Sequence, residues 1–120
     1  MKFILSVFLS VFISMNLSSQ ASTQKAAGSK TEALKVLGNC SMCKDRIETA
    51  VKASGATSSY WDAKTQMLKV SYDPSKTNTV ALAKKIASVG HDTKMYKADD
   101  KVYNSLPGCC KYEREKEVLR

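Results

Sequence analysis

Two thiols separated by two residues carry the most specific chemistry in this chain: Cys40 and Cys43, in the run Gly38-Asn39-Cys40-Ser41-Met42-Cys43. That spacing lets both sulfurs turn towards one point from a single loop. Where the second thiol opens a helix, unpaired N–H groups and the positive end of the helix dipole favour negative charge. The thiolate is the form that ligates metal, and as a soft donor it selects Cu(I), Hg(II) and Zn(II)-like ions over hard cations. Lys44 and Arg46 follow directly and can offset the charge of two thiolates around one ion. A thiol–disulfide redox pair is the competing reading of the same spacing. Against it, no Trp or Pro flanks or fills the motif, and the only prolines are Pro74 and Pro107.

A second thiol pair, Cys109-Cys110, follows Pro107-Gly108 near the C-terminus. Adjacent cysteines do not staple a fold, because a bond between them is strained. They remain open between extra thiolates for a three- or four-coordinate site, a second capture site, a redox partner for Cys40/Cys43, and a disulfide. Pro107-Gly108 presents both thiols on a turn, which weights the choice slightly towards metal. Four cysteines allow three disulfide connectivities, and the residues do not choose among them.

The elements that must position these thiols are legible from hydrophobic spacing. Thr31 to Leu37 reads as a strand, with Leu34 and Val36 opposite Lys35, and Gly38 ends it. Ile47, Ala50 and Val51 recur at helical spacing, which predicts a helix over Cys43 to Ser54 stopped by Gly55. Ala56 to Asp62 predicts a second strand, and Met67 to Tyr72 a third by strict alternation, closed by Asp73-Pro74. A second helix is expected over Asn78 to Val89, with Gly90 as its stop, and a fourth strand over His91 to Ala98. The order β-α-β-β-α-β is the split βαβ of the ferredoxin-like α+β fold, two helices on one face of a four-stranded antiparallel sheet. That order is not the thioredoxin one. Asp99 to Leu106 is expected to form a short helix, and Lys111 to Arg120 a charged, mainly solvated tail. Trp61, Tyr60 and Tyr72 lie on predicted strands and suit packing better than base stacking.

The run Gly38-Asn39-Cys40-Ser41-Met42-Cys43, the strand end Tyr72-Asp73-Pro74 and the Gly90-His91 step together resemble the heavy-metal-associated domain family. The resemblance spans about Leu34 to Lys97. It implies the fold reached above and one metal ion held by Cys40 and Cys43, as in copper chaperones and periplasmic mercuric-ion binding proteins. The family's loop reads Gly-Met-x-Cys-x-x-Cys; here it is one residue shorter and lacks that Met. Met42 sits between the cysteines instead, where it is expected to face solvent or fill a gap. His91, the only histidine, occupies a position beside the metal loop. Ligation by its imidazole and hydrogen-bonded support of the loop or Asp92 both remain open. The candidate ligands are therefore Cys40, Cys43, His91, Cys109 and Cys110. Cu(I) is the favoured ion, with Hg(II) and Zn(II) as alternatives; two cysteines alone do not close a tetrahedral zinc site.

Export is expected as well. Lys2 followed by the apolar run Phe3 to Leu17 and the small residues of Ser19-Gln20-Ala21 read as a signal peptide over residues 1–21. A flexible leader follows over residues 22–30, then the heavy-metal-associated domain over 31–98, and a C-terminal extension over 99–120. The apolar run is short for the ~20 residues that span a bilayer. This points to a periplasmic protein with no membrane attachment after cleavage. The chain carries a net charge of +8, but its lysines are scattered among acidic residues. With no basic stripe or stacking pattern, nucleic acid is not an expected partner. The charge suits solubility and docking to an acidic partner, expected to be a metal-transporting or metal-accepting protein. The lone His has no nucleophile partner set by motif, so the chain is read as a non-enzymatic carrier, a monomer or a metal-bridged dimer.

Overall fold

The computed structural model describes residues 28–116; the expected signal peptide, most of the leader and residues 117–120 lie outside the described residues. The elements β1 (Lys30–Lys35), α1 (Ser41–Ala53), β2 (Ala56–Asp62), β3 (Met67–Tyr72) and α2 (Thr79–Ser88) follow the expected order. They make a three-stranded antiparallel sheet in the order β1-β3-β2. No described helix is long and apolar enough to cross a membrane.

Register follows from the alternation of side chains along each strand. Leu34, Leu68 and Trp61 align across the three strands, and Glu32, Val70 and Ser59 form the next row. This sets Trp61, Leu68, Val70 and Tyr72 on the covered face, where all four are buried. Ile47 and Val51 of α1 and Leu82 and Ile86 of α2 close over them. The fully buried Trp61 indole donates its N–H to the Val36 carbonyl at 2.9 Å, so burying it strands no polar atom. Aromatic burial of this kind is worth on the order of 5 kcal/mol. Tyr60, one residue earlier, faces outward and carries the Lys44 ammonium 3.9 Å from its ring centroid.

Helix ends are set by local chemistry. Asn78 caps α2 by accepting the Ala81 N–H at 2.8 Å. Gly90, at φ 101°, turns the chain out of α2, and a Cβ there would lie 2.9 Å from Leu106. Between β2 and β3, the Asp62 carboxylate accepts the N–H groups of Lys64 and Thr65, closing the hairpin.

The expected fourth strand over His91 to Ala98 does not form. It is reduced to one antiparallel bridge between Thr93 and Val36, beside β1, where a fourth strand would pair. The hydroxyl of Thr93 accepts the N–H groups of both Met95 and Tyr96, and its own N–H donates to the Tyr96 carbonyl. These local bonds compete with a ladder and bend the chain away after a single pair. A short helix, α3 (Asp100–Asn104), and a 3-10 turn at Gly108–Cys110 follow.

The tail also departs from expectation. Instead of a solvated end, residues 110–115 pack along the space beside the bridge. Tyr112 is buried, its hydroxyl accepting the Asp92 N–H at 2.8 Å and donating to the Gly90 carbonyl at 2.7 Å. Arg114 grips the fully buried Asp92 carboxylate with two nitrogens, each at 2.8 Å, and also reaches Ala98 and Asp100. Glu115 pairs with Lys35 and Lys94. The alternation Cys110, Tyr112, Arg114 is the signal for this docking, set inside an otherwise charged run.

Removing one partner of a buried ion pair leaves the other charge desolvated, at about 3–5 kcal/mol. Arg114→Ala is therefore expected to lower the urea unfolding free energy by about 3 kcal/mol. Removing Glu115 from its exposed pairs is expected to cost less than about 1 kcal/mol. Equal effects for the two variants in urea titrations would contradict this account.

Candidate metal centre

Cys40 ends the loop after β1 and serves as the N-cap residue of α1, with extended backbone angles. Cys43 lies in the first turn and is fully buried. Gly38 makes this close approach feasible. A Cβ at that position would stand 2.9 Å from the Trp61 ring and 3.1 Å from the Cys43 Cβ. The shortened loop thus rests directly on the indole, and the Asn39 N–H points at the Cys43 sulfur at 3.4 Å. The Gln66 amide holds the Gly38 carbonyl at 2.8 Å.

Three of the five candidate ligands converge. The Cys40 sulfur lies 3.6 Å from that of Cys43 and 3.6 Å from that of Cys110. All three sulfurs fall within 4.8 Å of one another. A disulfide would require about 2.05 Å, and all four cysteines are free thiols. Cys109 sits at the rim, exposed, with its sulfur 4.0 Å from that of Cys110 and 3.4 Å from the Met42 thioether. Met42 is itself exposed, as expected from its place between the cysteines.

His91 is not among the converging side chains. It is fully buried beneath the loop, with Nδ1 2.8 Å from the Leu37 carbonyl. That bond requires Nδ1–H to donate, which places the lone pair of the neutral ring on Nε2. Nε2 is buried and has no partner among the described residues. The imidazole also stacks on the Tyr112 ring, centroids 5.5 Å apart. In this position it supports the loop and the docked tail together.

The charges around the thiols are arranged differently from the linear reading. Lys44 turns away to Glu48, which also accepts the Trp61 N–H, so its charge is already matched. Arg46 keeps one buried guanidinium nitrogen without a partner among the described residues. Burial raises the Cys40 pKa, but the backbone N–H of Cys43 and the neighbouring thiols outweigh it and bring Cys40 down to about 7. Cys110 moves the opposite way, pushed up by burial and then by the thiols of Cys43 and Cys40. Cys109 is raised as well, first by the influence of the neighbouring Cys40 thiol.

With substoichiometric iodoacetamide at pH 7, Cys40 is expected to label first, ahead of the more exposed Cys109, with a rate midpoint near pH 7. Peptide mass mapping reads the order, and prior labelling of Cys109 would contradict it. Burial lowers the His91 pKa from 6.5, and Arg46 lowers it further. The unfolded chain therefore binds more protons below that pH, and stability falls as pH drops through the folded-state value. Thermal melts between pH 7.5 and 5 are expected to show this loss, and His91→Gln is expected to flatten it.

The heavy-metal-associated domain description matches residues 39–92. Among solved structures, a CopZ metallochaperone is 30% identical, with a TM-score of 0.51, covering 53% of this chain and 98% of that one. An oxidised MerP from Ralstonia metallidurans CH34 is 22% identical, with a TM-score of 0.47, over 53% of this chain and 94% of that one. A ZiaAN sub mutant is 28% identical, with a TM-score of 0.48, over 55% of this chain and 96% of that one. No curated protein sequence matches the chain. A CxxC pair at the start of α1, the β-α-β-β-α order and near-complete coverage of a 30% identical metallochaperone converge, and the chain belongs to the heavy-metal-associated domain family.

Proposed function

We propose that this protein takes up one soft cation, Cu(I) in the first place, on Cys40 and Cys43 and delivers it to a metal-accepting protein outside the cytoplasm. The observation that carries this is the pair of unbridged sulfurs 3.6 Å apart at the N-terminus of α1. Cys40 is already drawn towards thiolate at neutral pH, so binding a cation there displaces few protons from it. The half-exposed Cys40 leaves one side of the site open to an incoming thiolate, which suits transfer by ligand exchange. The 30% identical structure is named as a metallochaperone, and the same role is proposed here. Thiolate softness favours Cu(I) or Hg(II), whereas a structural Zn(II) site takes four protein donors. Export through residues 1–21, and docking of the basic domain on an acidic acceptor, complete the reading.

The test is an anaerobic titration of the reduced full chain with Cu(I) in competition with a chromophoric chelator, repeated with Hg(II) and Zn(II). One tight equivalent of Cu(I) is expected, with Zn(II) weaker by orders of magnitude. Cys40→Ser/Cys43→Ser is expected to abolish the tight phase. Full tight binding by that double variant would refute the assignment.

A further inference from the structure

We propose that the ion is held by three thiolates, the third being Cys110, which the docked C-terminal tail carries into the site. This rests on the reading of Cys40 and Cys43 as the soft-cation pair and adds to it a ligand from a segment 70 residues away.

Sulfur spacing is the first argument. With a metal–sulfur bond of about 2.3 Å, a linear two-thiolate site separates its sulfurs by ~4.6 Å and a trigonal site by ~4.0 Å. Cys40 stands 3.6 Å from both other sulfurs, well short of the linear spacing and near the trigonal one. The second argument is placement. Cys110 is fully buried at the edge of the core, and its sulfur lies 3.6 Å from that of Cys40 and within 4.8 Å of that of Cys43. A buried cysteine that served only as a small hydrophobe would have no reason to aim at two thiols.

The third argument is the device that holds it. Two residues beyond Cys110, Tyr112 is fixed by the Asp92 N–H and the Gly90 carbonyl; two further on, Arg114 clamps Asp92. The same Tyr112 ring stacks on His91, whose Nδ1 holds the loop preceding Cys40. Tail and metal loop are therefore tied to one another through His91, Asp92 and Tyr112, and the three sulfurs are brought together before any cation arrives. Each thiol passes its proton to the solvent as its sulfur bonds the ion. Cys109, although adjacent in sequence, points to the exposed rim beside Met42 and stays outside the triangle. The neighbouring thiols thus have different fates: Cys110 binds, and Cys109 does not.

The experiment loads the reduced full chain anaerobically with one equivalent of Hg(II), and separately of Cu(I), and counts sulfurs by X-ray absorption at the metal edge. Three sulfurs are expected in the wild-type chain and in Cys109→Ser. Two are expected in Cys110→Ser and in Cys110→Ala, with circular dichroism reporting the fold of each variant. Two sulfurs in the wild-type chain would overturn the proposal by itself, whatever the variants do. So would three sulfurs retained in Cys110→Ala, or a fourth that disappears in Cys109→Ser. If the Cys40→Ser/Cys43→Ser variant instead binds as tightly as the wild type, the underlying pair assignment fails. That result is distinct from a simple change in ligand count.

Discussion

A single buried carboxylate organises the half of this molecule that departs from a plain ferredoxin-like domain. Asp92 has no access to solvent, and a charge in that position persists only when fully bonded. It meets this demand by drawing in two separate segments. Its oxygens accept the Ala98 N–H and two nitrogens of Arg114, while its backbone N–H donates to Tyr112. Satisfying Asp92 therefore folds back the segment after α2 and brings the C-terminal tail home.

The other half rests on Trp61. Its ring is fully buried in the core, hydrogen-bonds the Val36 carbonyl just beyond β1, and leaves space above it only for a glycine. Gly38 provides that space, and the loop one residue shorter than the family pattern descends onto the indole. Cys43 is buried in the same core, while Cys40 stays partly open at the helix start. The asymmetry of the pair, one sulfur enclosed and one accessible, thus comes from how closely the loop approaches the sheet. An accessible first thiolate is what capture and ligand exchange both require.

Much of this was readable from residue order, and the failures have definite causes. Three strands and two helices were legible because β3 alternates, β2 is rich in Thr, Ser, Tyr and Trp, the helices repeat their apolar residues at period 3.6, and Asn78, Gly55 and Gly90 mark helix ends. The placement of the CxxC pair at the start of α1 was legible because its spacing is local. The fourth strand was not, since alternation from His91 to Ala98 cannot reveal that the Thr93 hydroxyl will capture two N–H groups. The tail was misread for a related reason. Arg114 and Glu115 look solvated in sequence, and only the fold shows that their partners Asp92, Lys35 and Lys94 lie beside them. Lys44 was misjudged too, because Glu48 claims its charge one helical turn away.

These two halves meet at His91. One face of its ring stacks on Tyr112 of the tail, and its Nδ1 bonds Leu37 at the start of the metal loop. The one lone pair this ring offers a cation is on Nε2, and His91 is not among the side chains that converge with the three sulfurs. Buried and neutral, it is better suited to fixing the distance between two sulfur-bearing segments. In that role it accounts for why the sulfurs of loop and tail arrive at similar height although no strand joins them. The site's ligand count then becomes a property of tail docking, set by Asp92, Tyr112 and Arg114, and not of the CxxC motif alone.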